Sequence, residues 1–227
     1  MTNEDRDREL YRYPDSSVLR NRLGIRDAEL LAQQERLLVQ QRITEGVPTG
    51  RFDEAHLRDI HRHLFQDAYD WAGEFRQVDI AKSESWFHPH ERLSTGMADV
   101  HKRLSEQDYL RNLSREQFSQ GAAEYIGDVN RLHPFREGNG RTQLHYLKQL
   151  GGQAGHAIDL TRFDRSSWID ASIAASRFDS GPMARCIDQA VIERSHSTDR
   201  SVERGREGIA EGRERAERST GMDIDDD

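Results

Sequence analysis

Apolar residues recur along much of this chain at the three- and four-residue spacing that gives a helix one buried face. One such stripe covers residues 117–132, and Ser114 with Gln117 forms the pattern of a capping box at its start. Similar stripes cover residues 53–71 and 141–150. The sequence therefore predicts three amphipathic helices, and two of them are separated only by residues 133–140.

One stretch between the first two stripes follows a different period. Residues 77–80 alternate polar and apolar side chains, as a half-exposed strand does. Residues 81–85 are typical of a turn, after which residues 86–87 begin a return strand. The pattern therefore predicts a small β-hairpin.

The composition limits what kind of protein this is. A chain of 227 residues can bury a sizeable core, but 33% charged against 34% hydrophobic residues indicates that not all of it is packed. Residues 195–227 hold ten acidic residues and six arginines, which predicts a solvated helix or a disordered tail. Either a partner-binding or export segment or an inert solubilising tail fits this composition.

Charge and cysteine content bear on location and partners. A single cysteine suits a reducing compartment, and the chain has neither a membrane-length apolar run nor an apolar leader at its start. We therefore expect a cytoplasmic protein with no membrane partner. The formal net charge of -8 argues against direct binding to nucleic acid, because that affinity comes from clustered cations.

The residues with the clearest chemistry form one segment, His-Pro-Phe-Arg-Glu-Gly-Asn-Gly-Arg at positions 133–141. Backbone N–H groups at the start of the following helix have no partner within it, and Gly138 and Gly140 let a phosphate come close to them. A lone histidine near a helix end is usually structural, and Gly-Asn-Gly alone is an ordinary turn. The whole string matches neither the Walker A spacing nor the dinucleotide-binding fingerprint, yet it combines the groups that phosphate chemistry needs.

Each polar side chain of this segment has a role that its chemistry suggests. His133 is its only group that accepts a proton near neutral pH, which makes it the candidate general base. Glu137 offers hard oxygen ligands for Mg²⁺, which one or two carboxylates and substrate phosphates usually hold. Asn139 can donate its amide to a phosphate, and Arg141 can hold one through two parallel hydrogen bonds. Together these groups predict attack on a nucleoside triphosphate.

Residues 133–141 resemble the signature of the Fic family (filamentation induced by cAMP), which reads His, any, Phe, any, Asp or Glu, Gly, Asn, Gly, Arg, two variable residues, Arg. The resemblance implies an all-α Fic-fold helical bundle with a small β-hairpin flap over the active site. It also implies a protein adenylyltransferase that uses Mg²⁺ and takes ATP as co-substrate. His133 would deprotonate a target Ser, Thr or Tyr hydroxyl, which attacks the α-phosphate and releases pyrophosphate. The implied metal ligand is Glu137, and the implied phosphate cradle consists of Gly138, Asn139, Gly140 and Arg141.

One position departs from that signature. Leu144 stands where the second arginine belongs, on the same side of the helix as Arg141. A hydrogen bond to a charged group contributes roughly 1.5–3 kcal/mol, so its loss weakens triphosphate binding by about ten- to a hundredfold. Three outcomes stay open: a slow AMP transferase, transfer of a different phosphate-containing group, and a catalytically impaired domain that acts as a binding module. We add the hypothesis that Lys148 reaches the same phosphate.

The segment before the hairpin extends the resemblance. Residues 70–74, Asp-Trp-Ala-Gly-Glu, are similar to the turn that precedes the family's flap. In Fic proteins the flap holds the target's loop over the nucleotide, and an exposed strand edge can pair with an extended segment of another protein. The resemblance implies that the target docks on Val78, Asp79, Ile80, Ala81 and Lys82. The alternative is a surface hairpin with no docking role.

The N-terminal region is similar to the arm of stand-alone bacterial Fic toxins, over residues 11–25. We therefore expect a helical arm packed on the core over residues 1–50, a Fic core over residues 51–194 and the charged tail over residues 195–227. The subgroup implies a small antitoxin whose helix carries Ser or Thr, three variable residues, Glu, then Gly or Asn. Residues 41–46 come nearest but begin with glutamine, which favours inhibition by a partner in trans. As a target, the subgroup suggests a bacterial type II topoisomerase.

Overall fold

The computed structural model describes residues 2–82 and 85–192. Within them lie α1 (Asn3–Tyr11), α2 (Ala28–Glu45), α3 (Glu54–Phe65), α4 (Leu93–Glu106), α5 (Arg115–Leu132), α6 (Asn139–Ala154), α7 (Arg165–Ser176) and α8 (Gly181–Ala190). Two short strands, β1 (Ala81–Lys82) and β2 (Ser85–Trp86), pair antiparallel. The fold is therefore all-α apart from this pair, as the resemblance to the Fic family implies.

Helix α5 is the element against which much of the bundle packs. The predicted capping box is present, with the Gln117 N–H donating to Ser114 Oγ at 3.2 Å and the Ser114 N–H donating to Gln117 Oε1 at 3.0 Å. One face of the helix buries Phe118, Ala122 and Ile126. These side chains lie in the core, and α5 contacts α4, α6, α7 and α8. The prediction of a capped amphipathic helix is confirmed here.

Helix α3 is shorter than the sequence predicts. The apolar stripe continues to residue 71, but the helix ends at Phe65. Beyond that residue the chain turns back, and the rings of Tyr69 and Trp71 stack with centroids 4.4 Å apart. Residues two apart on a helix point in different directions, so a longer helix would separate these rings. The prediction of helix through residue 71 is wrong because this aromatic packing ends the helix earlier.

The β-hairpin is also shorter than predicted. Residues 77–80 do not form its first strand, which begins at Ala81, and the return strand begins at Ser85. The reason lies in the N-terminal helix: Asn3 Oδ1 accepts from the Asp79 N–H at 2.7 Å, and Asn3 Nδ2 donates to the Asp79 carbonyl at 2.8 Å. A side chain of α1 thus occupies backbone groups that a strand ladder would use. The prediction of a strand at residues 77–80 is wrong.

The two N-terminal helices pack on the elements that follow. Tyr11 of α1 is buried with its ring edge-on to Trp71, at a centroid distance of 5.7 Å. Helix α2 packs on α3 and buries Leu31 and Val39. The boundaries expected for arm and core stay predictions, and the tail at residues 195–227 lies outside the described residues. Among the described helices, none combines the length and apolar character needed to cross a bilayer.

Candidate active site

The segment at residues 133–141 forms the bend between α5 and α6. His133 ends α5 with φ 48°, and Gly138 precedes α6 with φ 84°, so both lie in the left-handed region that favours glycine. A Cβ atom on Gly138 would lie 2.4 Å from the ring of Phe65. Only glycine fits at Gly138, and the bend therefore sits directly on α3.

Asn139 has a structural role in addition to the predicted one. Its Oδ1 accepts from the Phe135 N–H at 2.9 Å, and its Nδ2 donates to the Phe135 carbonyl at 2.7 Å. The side chain is buried. Because both ends of the amide bond within the loop, the side chain braces the bend, while the second N–H of its Nδ2 can still donate to a ligand. Donation from the Asn139 side chain to a phosphate stays a prediction, as does donation from its backbone N–H in the first turn of α6.

His133 is held in place through its backbone and its ring. Its N–H donates to the Val129 carbonyl at 2.9 Å, and its carbonyl accepts from Arg76 Nε at 2.9 Å. The half-buried imidazole stacks on the ring of Phe87 with centroids 3.9 Å apart and an interplanar angle of 19°. Phe87 directly follows β2. The candidate base therefore lies beside the hairpin, where the resemblance implies that a target docks.

Arg76 is a residue of the site that sequence reasoning missed. Its buried guanidinium donates to the carbonyl groups of Val78 at 2.6 Å and Leu132 at 3.1 Å, and also to that of His88. Burial lowers the pKa of Arg76 to about 10, so it stays charged at neutral pH. One side chain thus joins the end of α5 to the segments on both sides of the hairpin. Its close position after the Trp-Ala-Gly turn was the only available signal.

His61, to which the sequence assigned no part in the site, supports the bend from α3. Its Nδ1 accepts from the Gly73 N–H at 2.7 Å, which leaves the proton on Nε2 to donate to the Glu137 carbonyl at 3.0 Å. The ring stacks on Phe135 at a centroid distance of 3.8 Å. Burial lowers the pKa of His61 to about 3, so the ring is neutral at pH 7. It therefore fixes the loop without adding charge to it.

Glu137 and Arg141 bring opposite charges to the bend. The Glu137 carboxylate is 48% exposed, accepts from the Gly138 N–H at 2.9 Å and lies 3.5 Å from Arg141 Nη2. Over residues 2–82 and 85–192, no three His, Cys, Asp or Glu side chains come together to hold a metal ion. A single accessible carboxylate fits Mg²⁺, because this cation usually completes its shell with water and substrate phosphates.

The start of α6 is open to solvent at Gly140. This glycine is exposed, and a Cβ atom built on it would meet nothing within 4 Å. In the described part of the chain, no protein group accepts from the backbone N–H groups of residues 139–141. Such groups at a helix start attract anions. Three backbone N–H groups of the predicted phosphate cradle, those of residues 139–141, are therefore open to a ligand, whereas the Gly138 N–H donates to Glu137.

Two predicted positions lie further along α6. Leu144 is half-buried and packs against the core. Lys148 is exposed and lies two helical turns beyond Arg141, about 10 Å along the axis. Burial, and then the charge of Lys148, lower the pKa of the neighbouring His145 to about 4. The hypothesis that Lys148 reaches a phosphate stays a prediction.

Comparisons with known proteins show which family this chain resembles in sequence and fold. The sequence model of the Fic/DOC family matches residues 51–150. The probable protein adenylyltransferase y4lH of Sinorhizobium fredii is 40% identical over 180 residues, which cover 79% of this chain and 94% of that protein. The protein adenylyltransferase VbhT of Bartonella schoenbuchensis is 38% identical over 186 residues, which cover 81% of this chain and 39% of that protein.

A solved structure shares the arrangement of elements. The BepC protein of Bartonella tribocorum, with bound AMPPNP, superimposes with a TM-score of 0.74 at 25% identity, covering 82% of this chain and 97% of that one. Family match, sequence identity over most of the chain and shared fold lead to one conclusion. The chain belongs to the Fic/DOC family.

Proposed function

We propose that this chain is a protein adenylyltransferase that moves AMP from Mg-ATP to a hydroxyl side chain of a target protein. The observation that carries the proposal is the bend at residues 133–141, where one turn of chain joins a histidine to the open start of a helix. The names of the relatives y4lH and VbhT support the same activity.

The residues at the bend suggest how the reaction proceeds. His133 takes the proton from the target hydroxyl, whose oxygen bonds to the α-phosphorus as the bond to the bridging oxygen breaks and pyrophosphate leaves. The backbone N–H groups at the start of α6 and the guanidinium of Arg141 hold the phosphates. Glu137 would hold Mg²⁺, which supplies positive charge to the phosphate oxygens when bound.

Leu144 favours a second candidate. Its half-buried position against the core places an apolar side chain one turn after Arg141, so α6 lacks a second guanidinium there. A domain with this gap would bind a triphosphate weakly. It would then transfer a different phosphate-containing group or act as a binding module.

Incubation with ATP labelled at the α-phosphate, Mg²⁺ and bacterial lysate tests the proposal. We expect a labelled protein with the natural chain and none with His133→Ala. His63→Ala is the matched control, because His63 is a half-buried histidine of α3 whose Nε2 contacts the Arg42 carbonyl at 2.8 Å, outside the bend. Labelling that survives in His133→Ala contradicts the proposed base.

The same assay with Leu144→Arg separates the two candidates. We expect labelling to rise about tenfold or more if the missing contact limits the natural chain. Leu144→Met disturbs the packing without adding charge and should leave labelling unchanged. Labelling by neither the natural chain nor Leu144→Arg, with any nucleotide, would favour the binding module.

The partners are part of the proposal. A target protein would dock on the hairpin, through Ile80, Ala81 and Lys82, because Val78 is buried and Asp79 is bonded to Asn3 and His90. We propose a small antitoxin that inhibits the chain in trans in the bacterial cytoplasm. A bacterial type II topoisomerase is the first target to test.

A further inference from the structure

A carboxylate from the N-terminal arm reaches the candidate active site. Glu35 lies on α2, and its Oε1 contacts Arg141 Nη2 at 2.6 Å. Only 8% of the Glu35 side chain is exposed, against 32% of the Arg141 side chain. The contact therefore sits on the inner side of the guanidinium, away from solvent.

A second contact fixes the carboxylate itself. The hydroxyl group of Tyr69 donates to Glu35 Oε2. Tyr69 is buried and stacks on Trp71. Both oxygens of Glu35 thus have partners, and because Tyr69 is buried and packed, the core sets the position of the carboxylate.

Neighbouring side chains cover one face and one nitrogen of the Arg141 guanidinium, and a ligand can approach from the remaining side. Its carbon lies 4.6 Å from the ring centroid of Phe65, which covers one face. Glu35 and Glu137 both approach Nη2. In the part of the chain that the structure describes, the shortest contact of each carboxylate with Arg141 is at this same nitrogen. A guanidinium held at one nitrogen and over one face keeps its other donors aimed in one direction.

We propose that Glu35 is a positioning residue for Arg141, through which the N-terminal arm completes the phosphate-binding site. The inference rests on the proposed function, since it requires that Arg141 binds the phosphates of ATP. A second arm carboxylate supports it: Asp7 on α1 accepts from Arg136 Nε of the same bend at 2.6 Å. The arm therefore holds the bend at two arginines.

Glu45, which the sequence singled out, is a different kind of residue. It is exposed at the end of α2, and its carboxylate accepts from Arg42 Nη1 at 2.9 Å and Gln41 Nε2 at 3.1 Å. It makes no contact with the bend among the described residues. Glu45 therefore offers a matched control on the same helix.

A double-mutant cycle on the full chain tests the proposal, with the dissociation constant of Mg-ATP measured by calorimetry. Glu35→Gln keeps the shape of the side chain and removes its charge. We expect it to weaken ATP binding about tenfold, and Arg141→Ala to weaken binding at least as much. In the Arg141→Ala background, Glu35→Gln should cause no further loss, because its effect passes through the guanidinium. Glu45→Gln should bind ATP as the natural chain does.

The outcomes separate this inference from the proposed function. Unchanged or tighter ATP binding by Glu35→Gln, or an equal loss in both backgrounds, overturns the positioning role. An Arg141→Ala variant that binds ATP like the natural chain removes the basis of both proposals. Should Glu35→Gln fail to fold, Tyr69→Phe removes the hydroxyl behind the carboxylate and should weaken ATP binding severalfold, again only when Arg141 is present.

Discussion

Gly138 and Gly140 stand two residues apart in the bend for different physical reasons. Gly138 adopts a left-handed φ of 84° and lies against Phe65, so the fold itself requires it. Gly140 has open space where a Cβ atom would lie and no positive φ. The fold could accommodate alanine at Gly140, so packing within the protein does not require the glycine there, and our proposal assigns it to a phosphate that comes close to the backbone.

Gly140→Ala should therefore stabilise the fold and weaken the binding of ATP. Alanine in place of a helical glycine raises the free energy of unfolding by up to about 1 kcal/mol. A methyl group in a close-fitting ligand contact costs about 1 kcal/mol or more, so we expect ATP affinity to fall at least about fivefold. Urea unfolding and calorimetric titration with Mg-ATP measure the two effects.

Gly152→Ala is the control for that pair of measurements. Gly152 is exposed in α6 and also has no atom within 4 Å of a built Cβ. It lies three turns from the bend, so its alanine variant should gain stability without losing ATP affinity. Equal ATP binding by the two variants would mean that no phosphate approaches Gly140.

Arg76 shows how separate elements come to form one site. The end of α5, the segment before β1 and the segment after β2 all turn carbonyl groups toward its buried guanidinium. These carbonyl groups belong to loops and helix ends, where the backbone has no regular partner. Arg76 therefore helps to set the position of His133 relative to the hairpin, together with the stacking of the His133 ring on Phe87.

Arg76→Met should destabilise the fold by about 3 kcal/mol or more, because it leaves several buried carbonyl groups without a donor. Urea unfolding measures this. Arg62→Met is the control: Arg62 is half-exposed, pairs with Asp59 at 3.1 Å and should cost no more than about 0.5 kcal/mol. A similar small loss for Arg76→Met would contradict the role assigned to its hydrogen bonds.

Buried histidines connect the stability of this fold to pH. Burial lowers the pKa of His61 to about 3 and that of His101 to about 4. His101 lies in the core with its Nδ1 3.2 Å from the Tyr125 hydroxyl. Both imidazoles are neutral in the folded protein, whereas in the unfolded chain they take up protons below about pH 6.5.

The contribution of these two histidines to the free energy of unfolding should therefore be fully present above about pH 6.5 and should fall as the pH decreases toward 4. The folded state binds fewer protons in this window, and each of the two histidines contributes up to about 1.4 kcal/mol per pH unit. Urea unfolding at pH 7, 6 and 5 measures the slope, and His101→Gln should make it shallower. A free energy of unfolding that is flat from pH 7 to pH 5 would contradict this expectation.

Several features of the site could be predicted from the sequence because their causes are local. The capping box at Ser114, the buried stripe of α5 and the bend that carries His133 all depend on residues a few positions apart. The hydrogen bonds between Asn139 and Phe135 could not be predicted, since an amide suits a phosphate and a backbone loop equally well. These hydrogen bonds depend on how Phe135 is buried, and the local sequence does not determine that.

The contact between Glu35 and Arg141 could not be predicted from the sequence. Glu35 occupies the same face of α2 as Leu31 and Val39, and a carboxylate in a buried stripe is a signal that could have been noticed. Its partner Arg141 lies at the end of the bend, in the first turn of α6, and is far from Glu35 in the sequence. No periodic pattern links the two residues, because they come together only when α2 and α6 both pack on α3.

The sequence by itself determined the helical periods, the bend and the set of groups that can handle a phosphate, because each rests on covalent neighbours. Only the tertiary structure decided where α3 ends, where the strands begin and which carboxylates hold the arginines of the bend. Those features depend on burial, which lets one well-placed aromatic ring or charge outweigh a local preference of a few tenths of a kcal/mol. The bend is thus encoded locally, while its support comes from the whole fold.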